Sequence, residues 1–304
     1  LPDEDNGYFM VNVQLPDAAS LERTNTVLRK VDGVIHSSPA VESTTTIVGF
    51  SLLTGALGPN TGFVFVKCKP WAERKGVKER ADIATRLLNL EFYKQVPEAQ
   101  VFAFAPPPIP GLGSGSGFTF MLQDTAGRSP QELDAMAKRF IAAASRRPEI
   151  GRVSTVYRAS VPQLHADVDA EKALKLGVKL ADVNDTLGTL LGSSYVNDFN
   201  RFGRVYKVFM QAEPEFRASP ESLGLFFARS SDGTMVPLST LVTTRRTAGP
   251  DFTTRFNLYR AAEVTGVAAA GYSSDQALTA LEETAAEVLP SGWSYDWSNM
   301  SYQE

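Results

Sequence analysis

The sequence predicts an α+β protein made of two ferredoxin-like βαββαβ sandwiches, with a mixed α/β subdomain inserted into the second. Two observations support this fold class. Segments in which apolar and polar residues alternate, as they do in strands, are separated by segments with a single apolar helical face. The order strand–helix–strand–strand–helix–strand is completed once, starts again after a glycine-rich stretch, and is completed a second time at the end of the chain.

The first repeat begins with a strand in which Phe9, Val11 and Val13 form one apolar face, and Pro16 ends this strand. A helix with one apolar face follows. The remaining predicted elements are, in order, a strand at 41–48, a long loop at 49–60, a strand at 63–69, a helix around 83–88 and a strand at 100–105.

The second repeat begins with a strand at 117–123 and a helix with a clearly marked start. Ser129 can cap the helix, Pro130 suits its first position, and Glu132 completes a capping box. A strand at 153–157 follows, after which the pattern is interrupted. It resumes with a strand at 261–270, a helix capped at Ser273 or Ser274, and a strand at 293–297.

The interruption predicts an inserted subdomain. A short strand carries His165 and Asp167, Asp169 can cap the next helix, and two hairpins are predicted within 194–212 and 226–238. We therefore divide the chain into a first subdomain at 1–112, a second at 113–158 plus 251–304, and the insertion at 159–250.

Composition argues against two functional classes. The 304 residues include 30 Lys+Arg and 34 Asp+Glu, for a net charge of −4, whereas a nucleic-acid surface normally needs a clustered basic excess. No apolar run approaches the roughly 18 residues needed to cross a bilayer, and residues 1–5 do not resemble a signal peptide. We expect this stretch of chain to be water-soluble and to bind no nucleic acid.

No catalytic or metal-binding pattern emerges. His36 and His165 are isolated, and Cys68 shares a strand face with valines, which favours a buried, inert thiol over a nucleophile. Asp167 and Asp169 are better explained as a solvated strand face than as metal ligands. The glycine-rich stretch 111–117 leads into a strand, so we interpret it as a hinge; a phosphate loop opens a helix. We expect no enzyme activity, cofactor or metal.

An apolar site is suggested by one face of the first sheet. Phe102 and Phe104 share a strand face opposite small residues, and Phe65 lies opposite a valine face. If the small residues meet the helices, the phenylalanines point to the open side, where they bind a ligand or pack against another domain. The loop 49–60 carries apolar residues among glycines and is either a functional lid or a collapsed hydrophobic turn.

Six motifs, in order along the chain, carry a family resemblance. They are LPDEDNG at 1–7, NTG at 60–62, VFAF at 101–104, GSSYVNDF at 192–199, MVPL at 235–238 and YDWSNMSYQE at 295–304. Their order and spacing resemble the second large periplasmic loop of resistance-nodulation-division (RND) multidrug efflux transporters of the hydrophobe/amphiphile type. The resemblance covers essentially the whole chain.

The resemblance implies two porter subdomains, the second interrupted by a docking subdomain. It implies a proton-driven antiporter that exports hydrophobic or amphiphilic small molecules. This pump is a homotrimer at the periplasmic face of the bacterial inner membrane, assembled with a periplasmic adaptor (membrane fusion) protein and an outer-membrane channel. Residues 194–212 would belong to the docking region.

The resemblance also implies functional positions, each taken over from the matching segment. Deep-pocket positions would be Thr45, Ile47, Phe50, Leu52 and Phe65. Entrance-cleft positions would be Phe102, Phe104, Pro106, Leu112, Ser114 and Phe118. Switch-loop positions would be Gly49, Phe50, Leu53, Gly55, Leu57 and Gly58.

Some positions depart from the better-known drug pumps. Those have phenylalanine at the positions of Thr45 and Leu52 and an arginine in the switch loop, so we expect a deep pocket with fewer aromatic walls. The resemblance places both chain ends where membrane helices begin in the family, so we expect this piece to contribute to binding and not to transport alone. Two alternatives are an assembly or docking module only, and a soluble ligand-binding protein built from the same sandwiches.

Overall fold

A computed structural model of the chain describes residues 5–109, 113 and 115–304, which form antiparallel sheets and helices in a mixed α/β arrangement. Contacts divide the chain into two units. One runs up to Pro162 and resumes at Ala248, and the other is Gln163–Thr247. None of the helices in the described ranges is both long and apolar enough to span a membrane.

The first part of the chain forms four strands and two helices. They are β1 (Tyr8–Gln14), α1 (Leu21–His36), β2 (Val41–Phe50), β3 (Leu57–Cys68), α2 (Ala81–Gln95) and β4 (Gln100–Phe104). The strands make one antiparallel sheet, the first sheet, in the order β2-β3-β1-β4. The order of strands and helices along the chain is the predicted one.

Successive side chains of a strand point to opposite faces of the sheet, and the face that carries the smaller apolar residues and Phe9 meets the helices. Phe9, Val11 and Val64 lie in one buried cluster with Leu28 of α1 and Phe92 of α2, so both helices cover the same face. The approach of α1 to β3 is close at Gly62, where any Cβ would overlap the side chain of Leu28. Glycine is therefore required at this crossing.

The rest of the chain forms eleven strands and five helices among the described residues. Before and within the second unit these are β5 (Phe118–Asp124), α3 (Pro130–Ala144), β6 (Ile150–Thr155), β7 (Val161–Val168), α4 (Ala170–Lys175), α5 (Leu180–Leu187), β8 (Ser194–Arg201), β9 (Arg204–Met210), β10 (Phe227–Arg229), β11 (Met235–Pro237), α6 (Leu238–Leu241) and β12 (Val242–Gly249). After it come β13 (Thr254–Phe256), β14 (Tyr259–Ala268), α7 (Ser274–Val288) and β15 (Trp293–Trp297).

The second sheet has the order β13-β14-β5-β15, and β6 also pairs with β14. Helices α3 and α7 cover one face, and Phe120 of β5 is central to that core. Its ring stacks on Phe140 at 4.6 Å and on Tyr295 at 4.9 Å. The predicted capping box at Ser129 is confirmed, and Ser273 is the residue that caps α7.

The second unit has its own small core, which includes Val183 and Leu238. Asp169 caps α4, as predicted, by accepting a hydrogen bond from the backbone N–H of Lys172. The predicted hairpin is β8–β9, and its two-residue turn, Phe202-Gly203, has positive φ at both positions, the backbone geometry that suits a twisted hairpin. The sequence analysis missed β12 and β13.

Candidate functional site

The face of the first sheet that the helices leave uncovered is aromatic. Met10, Phe63 and Phe104 are buried there in a separate cluster, with Phe102 packed against it, so the prediction that Phe102 and Phe104 point away from the helices is confirmed. Phe65 lies on the same face and meets Phe63 edge to face at 4.7 Å. This aromatic face can form one wall of a binding site.

The connection between β2 and β3 covers part of this wall. Leu52 and Leu53 pack against the aromatic cluster. The turn is held by its own backbone, since Gly55 N–H donates to Ser51 O at 2.9 Å and Ser51 N–H donates to Ala56 O at 3.0 Å. The apolar residues here are therefore divided: two leucines cover the phenylalanines, while Leu57 points to solvent.

The predicted loop at 49–60 is longer than the connection seen in the structure. Strand β2 continues to Phe50 and β3 begins at Leu57, so Gly49, Phe50, Leu57 and Gly58 lie in strands and only Leu53 and Gly55 of the predicted switch-loop residues lie in the connection. The physical reason is an irregular pairing. Val48 pairs with Gly62 and Phe50 pairs with Leu57, so the intervening residues of β3 bulge and accommodate glycine and proline.

Three of the predicted deep-pocket residues lie side by side. Thr45 pairs with Phe65 and Ile47 pairs with Phe63, and directly opposed residues of antiparallel strands share a face. Thr45, Ile47 and Phe65 are thus brought together on the aromatic face. Leu52 approaches it from the connection, and Phe50 is half-buried at the end of β2.

A cleft adjoins Phe102 and Phe104 where the first and second sheets meet within one unit. Its lining residues come from both sheets and from the β2–β3 connection. They are Leu53, Phe102, Phe104, Gly115, Ser116, Phe118, Thr119, Arg152, Glu263, Thr265, Gly266 and Asn299, around a narrow space of about 30 Å³. Phe104, Ser116 and Arg152 also line an adjoining cleft of about 620 Å³.

The structure thus brings three of the predicted entrance-cleft residues together, namely Phe102, Phe104 and Phe118. Pro106 is buried directly after β4 but is not among the residues that line the cleft. Leu112 and Ser114, and with them Gly111 of the predicted hinge at 111–117, lie outside the described residues.

Two charged residues of the cleft were missed by the sequence analysis. The guanidinium of Arg152 lies 4.5 Å above the ring of Phe102, and burial lowers the pKa of Arg152. Its Nη1 atom is buried without a hydrogen-bond partner. Burial likewise raises the pKa of the Glu263 carboxyl above its ordinary value. No sequence signal distinguished them from ordinary solvated strand charges: Arg152 lies in the short strand β6, and Glu263 shares β14 with a second charged residue, Arg260.

Cys68 is buried, and burial raises the pKa of its thiol, which disfavours the reactive thiolate. No group of three or more histidine, cysteine or acidic side chains capable of holding a metal occurs in the described part of the chain. The narrow cleft combines four apolar side chains with one guanidinium, one carboxyl and four neutral polar side chains, an arrangement that offers both apolar and polar contacts to a bound molecule.

Comparisons with known proteins agree with this picture. Residues 1–304 match the AcrB/AcrD/AcrF family. The chain is 38% identical over 306 residues to a multidrug/solvent efflux pump membrane transporter, MepB, of Pseudomonas putida. It is 39% identical over 307 residues to the multidrug export protein AcrF and 35% identical over 314 residues to the multidrug resistance protein MdtF, both of Escherichia coli (strain K12). Each match covers 100% of this chain and 29% of the relative.

Proposed function

Because the chain belongs to the AcrB/AcrD/AcrF family of RND multidrug efflux transporters, we propose that it is the periplasmic substrate-binding and docking portion of a proton-driven exporter of lipophilic or amphiphilic compounds. The chain spans 29% of the length of the curated relatives it matches, and transport is a property of the whole protein. The observation that carries the proposal is the cleft lined by Phe102, Phe104 and Phe118.

The arrangement of elements supports this assignment. We assign the four-stranded antiparallel sheet, with its order β2-β3-β1-β4 and both helices on one face, as a ferredoxin-like sandwich and as the first porter subdomain. The second sheet with α3 and α7 is assigned as the second porter subdomain. The unit Gln163–Thr247 is assigned as the docking subdomain.

The narrow cleft offers a bound molecule both apolar and polar contacts. Four apolar side chains and six polar or charged ones line it, together with two glycines. The adjoining space of about 620 Å³ lies within the range of roughly 300–1,000 Å³ that is usual for small-molecule sites. We therefore propose a binding site and no enzymatic activity.

Dye binding tests the proposal on the chain itself. N-phenyl-1-naphthylamine is an uncharged apolar dye that fluoresces when it leaves water, and we expect saturable binding to the chain. Phe102→Ala removes an aromatic wall and is expected to weaken binding about tenfold, the equivalent of about 1.4 kcal/mol. Phe202→Ala is the matched control, because Phe202 is 82% exposed on the β8–β9 turn.

The outcome that contradicts the proposal is equal affinity in the original chain, Phe102→Ala and Phe202→Ala. Circular dichroism of each variant establishes that the fold is retained. Phe104→Ala provides a second wall residue, because Phe104 is shared by both clefts.

The β8–β9 hairpin favours a second, assembly function for the same chain. Its strands expose large apolar residues on both faces; they are Tyr195, Val196, Phe199, Val205, Tyr206, Val208, Phe209 and Met210. Exposed apolar surface of this kind marks a protein interface. We propose that the hairpin contributes to the homotrimer of the pump, which further binds a periplasmic adaptor and an outer-membrane channel.

Cross-linking of the full-length transporter tests this assembly role. Tyr195→Ser combined with Phe209→Ser disrupts a ring pair of the hairpin and is expected to lower the yield of cross-linked trimer. The control is Leu258→Ser, which changes an exposed leucine of the other unit. If both variants give the same trimer yield as the unchanged transporter, the hairpin has no role in assembly.

A further inference from the structure

Arg152 is a half-buried cation without a counter-charge among the described residues. It lies on β6 opposite Val267 of β14, and its side chain is directed to the cleft. Three other partly or fully buried arginines form ion pairs, namely Arg74 with Asp5, Arg128 with Asp124 and Arg158 with Asp17, while Arg260 donates to the backbone carbonyl of Arg128. Arg152 forms none with any described carboxylate, and burial is the single cause that lowers its pKa.

The carboxyl that shares the cleft does not serve as this counter-charge. Glu263 forms no ion pair with Arg152 within the described residues, and no nearby cation contributes to its pKa, which burial alone raises. A carboxyl with a raised pKa is less readily ionised than one paired with an arginine. The cleft therefore holds a guanidinium and a carboxyl that do not neutralise each other through an ion pair.

The geometry of the guanidinium leaves its edge available. The Cζ atom of Arg152 lies 4.5 Å from the centre of the Phe102 ring, a cation–π contact that holds the guanidinium beside the aromatic wall. The Nη1 atom is enclosed by protein without an acceptor, so an anion would bind at the part of the guanidinium that lines the cleft. A fixed guanidinium edge with free donors matches the oxygen atoms of a carboxylate, sulfonate or similar anion.

We propose that Arg152 makes this cleft selective for anionic amphiphiles, with the anionic group bound at the guanidinium edge and the apolar body along Phe104. The inference rests on the proposed function of the cleft as a binding site. Arg152 and Phe104 line both the narrow space and the adjoining larger one, so an anion at Arg152 lies where an apolar body can extend into about 620 Å³.

Other charges near the larger space are already compensated or solvated. Asp5 pairs with Arg74, and Arg80 pairs with Asp82. Arg86 lines the larger space but is exposed to solvent, where an ion pair with a ligand is weak. Arg86→Met is therefore a control that removes a cation from the same cleft without removing a buried one.

Two dyes of one framework test the proposal. N-phenyl-1-naphthylamine is uncharged, and 1-anilinonaphthalene-8-sulfonate has the same framework with an added sulfonate. Arg152→Met keeps an unbranched apolar side chain, shorter than that of arginine, and removes the charge. We expect it to weaken binding of the sulfonate dye at least tenfold and to change binding of the uncharged dye less than twofold. Arg152→Lys is expected to give an intermediate loss, and Arg86→Met to change neither affinity appreciably.

Stability provides an independent readout. Because the protein provides no counter-charge for Arg152, we expect Arg152→Met to melt at or above the temperature of the original chain. A structural arginine would instead make the methionine variant melt lower. If Arg152→Met does not fold, Arg152→Lys carries the test: an unchanged ratio of the two dye affinities would then overturn the proposal.

The results separate the two proposals. If Phe102→Ala leaves the uncharged dye unaffected, the cleft is not the binding site and the proposed function fails. If Phe102→Ala weakens the uncharged dye but Arg152→Met changes both dyes equally, the cleft binds apolar molecules and the selectivity assigned to Arg152 is wrong.

Discussion

The ion pair between Asp5 and Arg74 fastens the start of β1 to the segment that leads into α2. Arg74 is 2% exposed, and its guanidinium donates to both carboxylate oxygens of Asp5, at 2.6 and 3.0 Å. The same carboxylate accepts hydrogen bonds from the backbone N–H groups of Gly7 and Ala81. We predict that Asp5→Asn destabilises this unit, because the Arg74 charge then remains buried without its counter-charge.

The magnitude follows from the exposure of the two partners. Removing one partner of a fully buried ion pair costs roughly 3–5 kcal/mol. Here the Asp5 side chain is 33% exposed, so solvent screens the interaction and reduces the expected loss to about 2 kcal/mol. For a unit of this size, that loss corresponds to a fall of about 4–8 °C in melting temperature.

The pH dependence has a defined sign. Hydrogen bonding from Arg74 is the largest of the influences that lower the pKa of Asp5, from 3.8 to about 2. The folded state therefore favours the ionised carboxyl, and its contribution is complete above about pH 4 and disappears as the pH falls towards 2. The pKa difference corresponds to at most about 2.4 kcal/mol, and screening reduces it to about 1 kcal/mol. Asp5→Asn should lack this acid-dependent part.

Tryptophan fluorescence during urea unfolding provides the assay, because Trp71, Trp293 and Trp297 all lie in the unit that contains Asp5. The control is Glu98→Gln, which breaks the surface pair with Lys30 and is expected to cost less than about 0.5 kcal/mol. Equal unfolding free energies for Asp5→Asn and Glu98→Gln at pH 7 would refute the reasoning.

Three further substitutions test the backbone of the fold by urea unfolding. Gly117 has a φ of +104°, and an added Cβ would overlap the carbonyl oxygen of Gly266. We therefore expect Gly117→Ala to lower the free energy of unfolding by about 3 kcal/mol or more. An unchanged urea midpoint would contradict the close approach of the two backbones. Leu258 is 86% exposed and has a φ of 71°, a backbone conformation that glycine adopts more easily than leucine. Leu258→Gly should therefore raise the free energy of unfolding by about 0.5–1 kcal/mol. A lower free energy of unfolding would mean that the leucine side chain makes stabilising contacts. Ser129→Ala should cost about 1 kcal/mol, because the N–H of Glu132 loses its acceptor; stability equal to that of the original chain would show the cap to be dispensable.

Features that depend on local periodicity could be predicted from the sequence. The alternation that separates Phe102 and Phe104 from Ala103 fixes which face meets the helices, because successive side chains of a strand point to opposite sides. The capping box at Ser129 was likewise predictable, since its partners are three residues apart.

Features that depend on backbone pairing were harder to predict. Gly58 and Pro59 are typical of a loop, and the sequence analysis placed them in one. In the structure they lie in β3, because hydrogen bonds to β1 and α1 replace the regular ladder: Leu15 N–H donates to Asn60 O at 2.9 Å, and the Thr24 hydroxyl donates to Pro59 O at 2.6 Å. Side-chain hydropathy carries no information about these backbone acceptors.

The environment of the charged cleft residues could not be predicted, because it depends on contacts among three strands that are far apart in the sequence. A charged side chain in a strand is usually solvated, and nothing in the segment around Arg152 indicates otherwise. Its burial results from the approach of Phe102, which lies on β4 of the other sheet. The unpaired state of Arg152 results in turn from the absence of any described carboxylate within ion-pair distance. The anion selectivity proposed for this cleft thus depends on tertiary contacts, because the ring of Phe102 packs on Arg152 and no described carboxylate neutralises its charge.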